Sequence, residues 1–176
     1  MNNYKQSVLI TDFTNLASQK WKIVNDGVMG GISQSQFQIN DAGNGVFIGH
    51  VSLENNGGFA SVKNIIPLNM ENYHSILLKV KGDGKSYSFR FKTGTGNALH
   101  NWVYHSRFET KKDEWISVEL PFNSFIPKHR GKILDNVSAP SLSKIKEYGF
   151  LISEKQEGEF RLEIDFVKAL SSDSSL

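Results

Sequence analysis

The stretch GEFRLEIDF at residues 158–166 decides the fold class of this chain. Apolar and charged side chains alternate along it, with Phe160, Leu162, Ile164 and Phe166 standing between Arg161, Glu163 and Asp165. Successive side chains of an extended strand point to opposite faces, so one face of this segment is apolar and the other is charged. The pattern predicts a half-buried β-strand.

The same alternation recurs in three earlier segments, residues 75–81, 87–92 and 115–120. Dipeptides that favour tight turns separate the alternating segments. These dipeptides are Asp26-Gly27, Asn44-Gly45, Asn56-Gly57 and Asp83-Gly84. We expect the side chains on the apolar faces to be buried, namely Phe89, Phe91, Ile116, Val118, Phe160 and Ile164.

Helical signal is scarce. Residues 141–148 (SLSKIKEY) predict one short helix that ends at Gly149, and residues 69–73 predict a helical turn. The rest of the chain predicts about ten to eleven strands without helix–strand alternation, which is typical of an all-β antiparallel β-sandwich. We expect a single domain over residues 1–176, with a core at about 7–170 and a frayed serine-rich tail at 171–176.

Composition excludes several classes of function. The 176 residues carry 20 basic and 18 acidic side chains, a net charge of +2 that does not favour nucleic acid as a partner. The absence of cysteine excludes a disulfide framework, a thiol nucleophile and a thiolate metal site. The sequence has neither an HExxH pair nor a GxSxG elbow. We therefore expect no enzymatic activity, no cofactor and no metal centre.

The N-terminal residues bear on the cellular location of the protein. Before Phe13 the longest apolar run is Val8-Leu9-Ile10, which is too short for a signal peptide. No segment approaches the ~20 apolar residues of a transmembrane helix. These features predict a cytoplasmic protein without a targeting or transmembrane segment.

Two glycine-dense segments, WKIVNDGVMGGIS (21–33) and LENNGGFA (53–60), place Asn or Asp beside paired glycines. Paired glycines form tight turns or let a ligand approach the backbone closely. One interpretation is therefore two turns that only shape the sandwich. The other is that both segments lie side by side as a partner-binding rim built from Asn25, Asp26, Met29, Gly30, Gly31, Asn56, Gly57 and Gly58.

At these two segments the chain resembles the complex I intermediate-associated protein family. The resemblance continues through the turn at residues 82–87 and the "W…LPF…F" run at residues 115–125. It also includes Tyr148-Gly149-Phe150 and the strand at residues 158–166, and it covers roughly residues 10–170. Many separate motifs in the same order make this resemblance specific.

The resemblance implies a galactose-binding-like jelly-roll sandwich that acts without catalysis as an assembly module. Its partners would then be proteins, namely respiratory complex subunits or intermediates. The lack of a targeting segment favours a bacterial relative.

Jelly rolls of this type often bind carbohydrate. The resemblance therefore leaves an alternative function open, that of a carbohydrate- or small-ligand-binding module. Trp102 and Tyr104 would then form an aromatic platform near Arg90 and His105, unless the two aromatic side chains belong to the core. Some such sandwiches hold a structural calcium ion, for which Asp12 and Asp165 are the only, weak candidates.

Overall fold

The computed structural model describes residues 6–14 and 20–171, and nearly all regular structure in them is β-strand. Short 3-10 turns occur at Asp26–Met29, Glu54–Asn56, Phe122–Ser124 and Leu142–Lys144. The strands are β1 (Ser7–Thr11), β2 (Trp21–Ile23), β3 (Gln34–Ile39), β4 (Gly45–Val51), β5 (Ala60–Asn64), β6 (Ser75–Lys81), β7 (Ser86–Thr95), β8 (Ala98–Leu99), β9 (Val103–Glu109), β10 (Trp115–Pro121), β11 (Ile126–His129), β12 (Lys132–Ile133), β13 (Ile145–Ile152) and β14 (Gly158–Leu170).

The strands form two antiparallel sheets. The six-stranded sheet has the order β10-β6-β14-β4-β3, with β1 paired to β14. The eight-stranded sheet has the order β12-β11-β9-β7-β13-β5-β2, with β8 paired to β7. Consecutive strands such as β4 and β5 lie in different sheets, so the chain crosses repeatedly between the two layers. The architecture is the expected all-β antiparallel jelly-roll sandwich.

The apolar faces of both sheets meet in one core. Phe89 and Phe91 from β7 and Phe160 and Ile164 from β14 are at most 2% exposed, as the alternating pattern predicted. The ring of Phe89 packs edge-on against Phe150, with 5.5 Å between the ring centroids. Burial of such large side chains is the main stabilising contribution in a sandwich of this kind.

Two residues of the predicted core are only half buried. Ile116 and Val118 lie on β10, and their side chains pack against the core from its margin. Because β10 is an edge strand of the six-stranded sheet, it has a neighbour on one side only. The expectation of full burial is wrong for this pair.

The predicted helix at residues 141–148 is also wrong. Only Leu142–Lys144 form a single 3-10 turn, and Ile145 begins the strand β13. β13 pairs with β5 on one side and with β7 on the other, so strand pairing outweighs the local helical preference. The predicted tail at 171–176 lies outside the described residues, apart from Ser171.

Replacement of Phe89 by Ala should lower the free energy of unfolding by roughly 3–5 kcal/mol, since it leaves a cavity between the sheets. Phe166, which is only partly buried on β14, offers a matched control. Urea denaturation of both variants measures the difference. Equal losses for Phe89→Ala and Phe166→Ala would contradict the assignment of faces.

Candidate functional site

The two glycine-dense segments lie side by side, although they are far apart in sequence. The backbone N–H of Gly58 donates a 2.7 Å hydrogen bond to Oδ2 of Asp26, which is 32 residues earlier. The N–H of Asp26 in turn donates to the carbonyl of Phe59 at 3.3 Å. The predicted juxtaposition is therefore present in the structure.

The side chain of Asp26 is the centre of this contact, and its residue is 0% exposed. Its Oδ1 accepts from the N–H of Ser33 at 2.9 Å. Its Oδ2 accepts from the Ser33 hydroxyl at 2.5 Å and from the N–H groups of Gly58 and Phe59. Burial by itself would raise the pKa of Asp26, but these hydrogen bonds outweigh it and hold the pKa below its usual range.

Asp26 is therefore not a group that the surface offers to a partner. The expectation of an exposed carboxylate is wrong, because all of its hydrogen bonds are used inside the protein. The expected Asp26-Gly27 hairpin is also wrong, since Asp26 begins a 3-10 turn that ends at Met29. Asp26 has a structural role, as the interpretation of the segments as shaping turns implied, but its hydrogen bonds join two distant segments instead of closing a local turn.

The paired glycines are explained by the space that this carboxylate occupies. A Cβ atom on Gly31 would lie 2.4 Å from the carboxyl carbon of Asp26, and one on Gly57 would lie 2.6 Å from Oδ2. Any larger residue at either position would displace the buried side chain. Gly30 and Gly58 instead have φ angles of 89° and 133°, which favour glycine.

Ser33 extends the hydrogen bonds of Asp26 from one sheet to the other. Its hydroxyl oxygen accepts from the N–H of Ser52 at 2.9 Å, directly after β4. Gly58 and Phe59 precede β5 of the eight-stranded sheet, whereas Ser33 precedes β3 of the six-stranded sheet. One carboxylate thus fastens both sheets together at this end of the sandwich.

The two asparagines of the predicted rim differ in role. Oδ1 of Asn25 accepts from the Ser35 hydroxyl at 2.7 Å, so this residue supports the local structure. Asn56 is exposed on the neighbouring turn Glu54–Asn56, with a φ angle of 58°. Asn56 is the more exposed of the two, whereas Asn25 is partly buried.

Exposed apolar side chains lie next to the buried hydrogen bonds of Asp26. Val28, Met29 and Ile32, which we call the apolar tip, are 74%, 60% and 49% exposed. Large apolar side chains that project into water beside a rigid turn are typical of protein contact sites. The rim prediction included Met29 but missed Val28 and Ile32, although all three belong to the same segment of the sequence.

The predicted aromatic platform is absent from the surface. Tyr104 is 3% exposed, and its hydroxyl donates to the carbonyl of Ser138 at 3.0 Å. Trp102 is half buried and stacks on His100, with 4.3 Å between the ring centroids. Both aromatic side chains belong to the core and its margin, so the interpretation as a sugar platform is wrong.

Arg90 and His105 lie elsewhere, on the outer face of the eight-stranded sheet, as directly paired residues of β7 and β9. Nη2 of Arg90 donates to the Ser61 hydroxyl at 2.8 Å, so Arg90 is not a freely solvated side chain. Burial, together with the charges of Lys128 and Arg90, lowers the pKa of His105 to about 4. His105 is therefore uncharged at neutral pH.

A cleft of about 880 Å³ opens beside the apolar tip, on the six-stranded sheet. This cleft was not predicted from the sequence, although the alternating residues Gln34 and Gln36 of β3 line its wall. Most of its lining residues are of polar type, although apolar atoms contribute more of the lining surface. The lining comprises Asn25, Ser33, Gln34, Ser35, Gln36, Ile48, Gly49, His50, Asp83, Glu159, Phe160 and Arg161.

The two weak calcium candidates are engaged in other contacts. Oδ1 of Asp12 accepts from the N–H and hydroxyl of Thr14, and Asp165 forms an ion pair with Lys79 at 3.3 Å. Within residues 6–14 and 20–171, no three His, Asp or Glu residues lie close enough to hold a metal ion together. A calcium ion at Asp12 or Asp165 would lack the six to eight oxygens that it prefers.

Comparison with known proteins identifies the family. The family model for complex I intermediate-associated protein 30 matches residues 11–164. This chain belongs to that family. The expectation from the sequence motifs is thereby confirmed.

Two curated relatives illustrate the match. Complex I intermediate-associated protein 30, mitochondrial, of Drosophila melanogaster is 28% identical over 169 residues, which cover 84% of this chain and 57% of the relative. The Mus musculus protein of the same name is 25% identical over 84% of this chain and 51% of its own length. The chain thus spans only a little more than half the length of these relatives.

The relatives correct the predicted location. They are named mitochondrial proteins, which contradicts the expectation of a cytoplasmic protein. The expected bacterial origin is tested by none of these comparisons and stays a prediction. Among the described residues, no helix has the length and apolar character needed to cross a membrane.

Solved structures support the fold. The family 11 carbohydrate-binding module of a cellulosomal cellulase from Clostridium thermocellum superposes with a TM-score of 0.71 at 14% sequence identity. The match covers 96% of each chain. At this identity the likeness establishes the shared sandwich architecture and nothing about the ligand.

Replacement of Asp26 by Asn should lower the free energy of unfolding by about 3 kcal/mol, since an amide would leave buried N–H donors without an acceptor. Chemical denaturation measures this loss. Asp135→Asn is the matched control, because Asp135 is exposed. A loss for Asp26→Asn no greater than that of the control would contradict the proposed structural role.

His105 should make the protein less stable as the pH falls. An unfolded histidine has a pKa of about 6.5, whereas burial lowers the pKa of His105 to about 4 in the folded state. Between these two values the unfolded chain binds a proton that the folded protein does not, so the free energy of unfolding decreases with decreasing pH. Replacement by Gln removes this contribution.

The variant His105→Gln should therefore become more stable relative to wild type as the pH falls from about 6.5 to about 4. Urea denaturation of both proteins across this pH range gives the difference in free energy of unfolding. A constant difference over the whole range would show that burial does not suppress the protonation of His105.

Proposed function

We propose that this protein is a non-enzymatic, chaperone-like binding module that holds a protein partner during the assembly of a larger complex. The observation that carries the proposal is the apolar tip of Val28, Met29 and Ile32. Its exposed apolar side chains stand directly beside the buried hydrogen bonds of Asp26. Membership of the complex I intermediate-associated protein 30 family supports taking respiratory complex subunits or intermediates as the partners in this proposal.

The rigid base favours binding by the tip. The 3-10 turn is held by hydrogen bonds from its own backbone, including Gly31 N–H to the Asp26 carbonyl at 2.9 Å. A preorganised loop loses little conformational entropy when it binds. Met29 also has an unbranched, polarizable side chain that adapts to different apolar surfaces.

A second candidate function is carbohydrate binding in the polar cleft. Amide, imidazole, carboxylate and guanidinium groups line it, and these groups suit sugar hydroxyls. However, its single aromatic lining residue is Phe160, which is 2% exposed and offers no stacking surface. The cleft therefore supports this function less strongly than the tip supports protein binding.

Replacement of Val28 and Met29 together by Asp should abolish partner capture, because charged side chains cannot be buried in an apolar contact. The measurement is affinity capture from the native cell followed by mass spectrometry. The melting temperature should stay within a few degrees of wild type, since both side chains are exposed.

Leu99→Asp is the control for this experiment, because Leu99 is 47% exposed but belongs to the distant strand β8. It should retain the wild-type set of captured proteins. If the Val28 and Met29 variant captures the same complex I subunits as wild type, the tip is not the contact site.

A further inference from the structure

Basic side chains form a band across the outer face of the eight-stranded sheet. We call Lys22, Lys63, Arg90, Lys92 and Lys128 the cationic band. Residues that pair across strands point to the same face, and the neighbours of the band, such as Phe91 and Tyr148, point into the core. The band therefore lies wholly on the outer surface.

Strand register orders the band into two rows. In the first row, Arg90 pairs with Gly149, Gly149 with Lys63, and Lys63 with Lys22. In the second row, Lys128 pairs with Val103 and Lys92 with Glu147. Lys92 and Val103 line the same small pit, which joins the two parts of this row.

The positive charge of the band is poorly compensated. Glu147 forms an ion pair with Lys63 at 3.0 Å, and it is the only carboxylate in the two rows. Among the described residues, the side-chain ammonium groups of Lys92 and Lys128 form no hydrogen bond or ion pair, although both backbones are paired within the sheet. Burial lowers the pKa of Lys92; Glu147 opposes this effect, while Lys63 and Arg90 add to it.

An unpaired, partly buried lysine between other cations costs free energy in the isolated protein. An anionic ligand above the sheet would remove this cost. Gly149 stands between Arg90 and Lys63 and has no side chain, which leaves room for the Arg90 side chain to cross β13 and donate to Ser61 on β5.

The spacing of the charges distinguishes among anions. The backbones that carry Lys128 on β11 and Lys22 on β2 are separated by five strand spacings, or about 24 Å. The guanidinium of Arg90 reaches from β7 to Ser61 on β5 and so lies between these two ends of the band. A single phosphate cannot contact all of these cations. A chain that carries several carboxylates can do so.

Apolar residues continue both rows on the β11–β12 side. Ile126 pairs with His105 next to Arg90, and Ile133 pairs with Lys128. Their residues are 44% and 59% exposed. A protein segment with acidic and apolar side chains matches this combination, whereas a polyanionic sugar or a nucleic acid leaves the isoleucines without apolar contact.

We propose that the cationic band, with Ile126 and Ile133, binds an acidic, partly apolar peptide segment of a protein partner. The inference rests on the proposed function only in taking the partner to be a protein. It adds a second contact surface on a different sheet face from the apolar tip and names the chemistry of the segment that binds there.

Selection of a random 12-residue peptide library against the immobilised protein tests this proposal. The selected peptides should be enriched in Asp and Glu together with Leu, Ile or Val. Their affinity, measured by fluorescence anisotropy, should fall steeply as the salt concentration rises. Peptides without acidic enrichment would overturn the proposal.

Charge-reversal variants test whether the selected peptides bind at the cationic band. Lys92→Glu and Lys128→Glu should each weaken binding of the selected peptides by about tenfold, because a carboxylate replaces an ammonium group within the contact. Lys112→Glu makes the same change of charge at an exposed turn residue outside the band, and it should leave the affinity within about twofold of wild type. Equal effects of all three variants would place binding elsewhere and overturn the proposal.

Competition identifies the class of ligand. Inorganic phosphate, polygalacturonate and single-stranded DNA are each added to the protein–peptide complex at matched charge concentration. If the polysaccharide or the DNA displaces the peptide at concentrations far below the peptide's own Kd, the band recognises that polymer and the peptide assignment is wrong. Weak displacement by all three supports it.

Peptide binding by the cationic band can be tested separately from partner capture by the apolar tip. The variant with Asp at Val28 and Met29 should still bind the selected peptides with wild-type affinity. If this variant retains partner capture while Lys92→Glu loses the peptide, the function of the tip fails and the inference about the band stands.

Discussion

The buried carboxylate of Asp26 is the interaction on which the end of the sandwich that carries the apolar tip depends. It accepts hydrogen bonds from residues that precede strands of both sheets, so it joins the two layers at this end. Gly31 and Gly57 must lack side chains because this carboxylate lies against them. The apolar tip owes its defined position to the same contact. The sequence suggested Asp26 as a contact residue for a partner. In the structure Asp26 instead supports the turn that carries the apolar tip.

The sequence predicts the strands well where one face of a strand meets water. Residues 158–166 alternate between apolar and charged side chains, and they form β14 as expected. The alternating pattern does not reveal β13, because this strand is paired on both sides and buried along most of its length, and its charged residues stand only at its start. Only the family resemblance, through Tyr148-Gly149-Phe150, indicated a strand there. The role of Asp26 escaped prediction for another reason. An Asp-Gly pair indicates a local turn, and nothing local reveals that donors 32 residues away will surround the carboxylate.

The overall composition does not show how the basic residues are distributed over the surface. A net charge of +2 suggests no strong field, yet register brings five basic residues from four strands into one band. Of the five, Arg90 and Lys92 were visible as polar members of the alternating segment 87–92. Which of them become neighbours depends on the order β11-β9-β7-β13-β5-β2, and that order comes from long-range pairing that a single sequence does not display.

The pairing of β1 with the end of β14 has a consequence for how this domain is joined to other segments. The N–H of Ser171 donates to the carbonyl of Gln6 at 2.8 Å, so the chain enters and leaves the sandwich at one pole. β14 runs for 13 residues from Gly158, beside Val51, to Leu170, a length of roughly 40 Å at the usual rise of a strand. The apolar tip lies near the opposite pole. Flanking segments, such as the additional length of the insect and mouse relatives, can therefore be attached or anchored without crossing either sheet and without covering the tip.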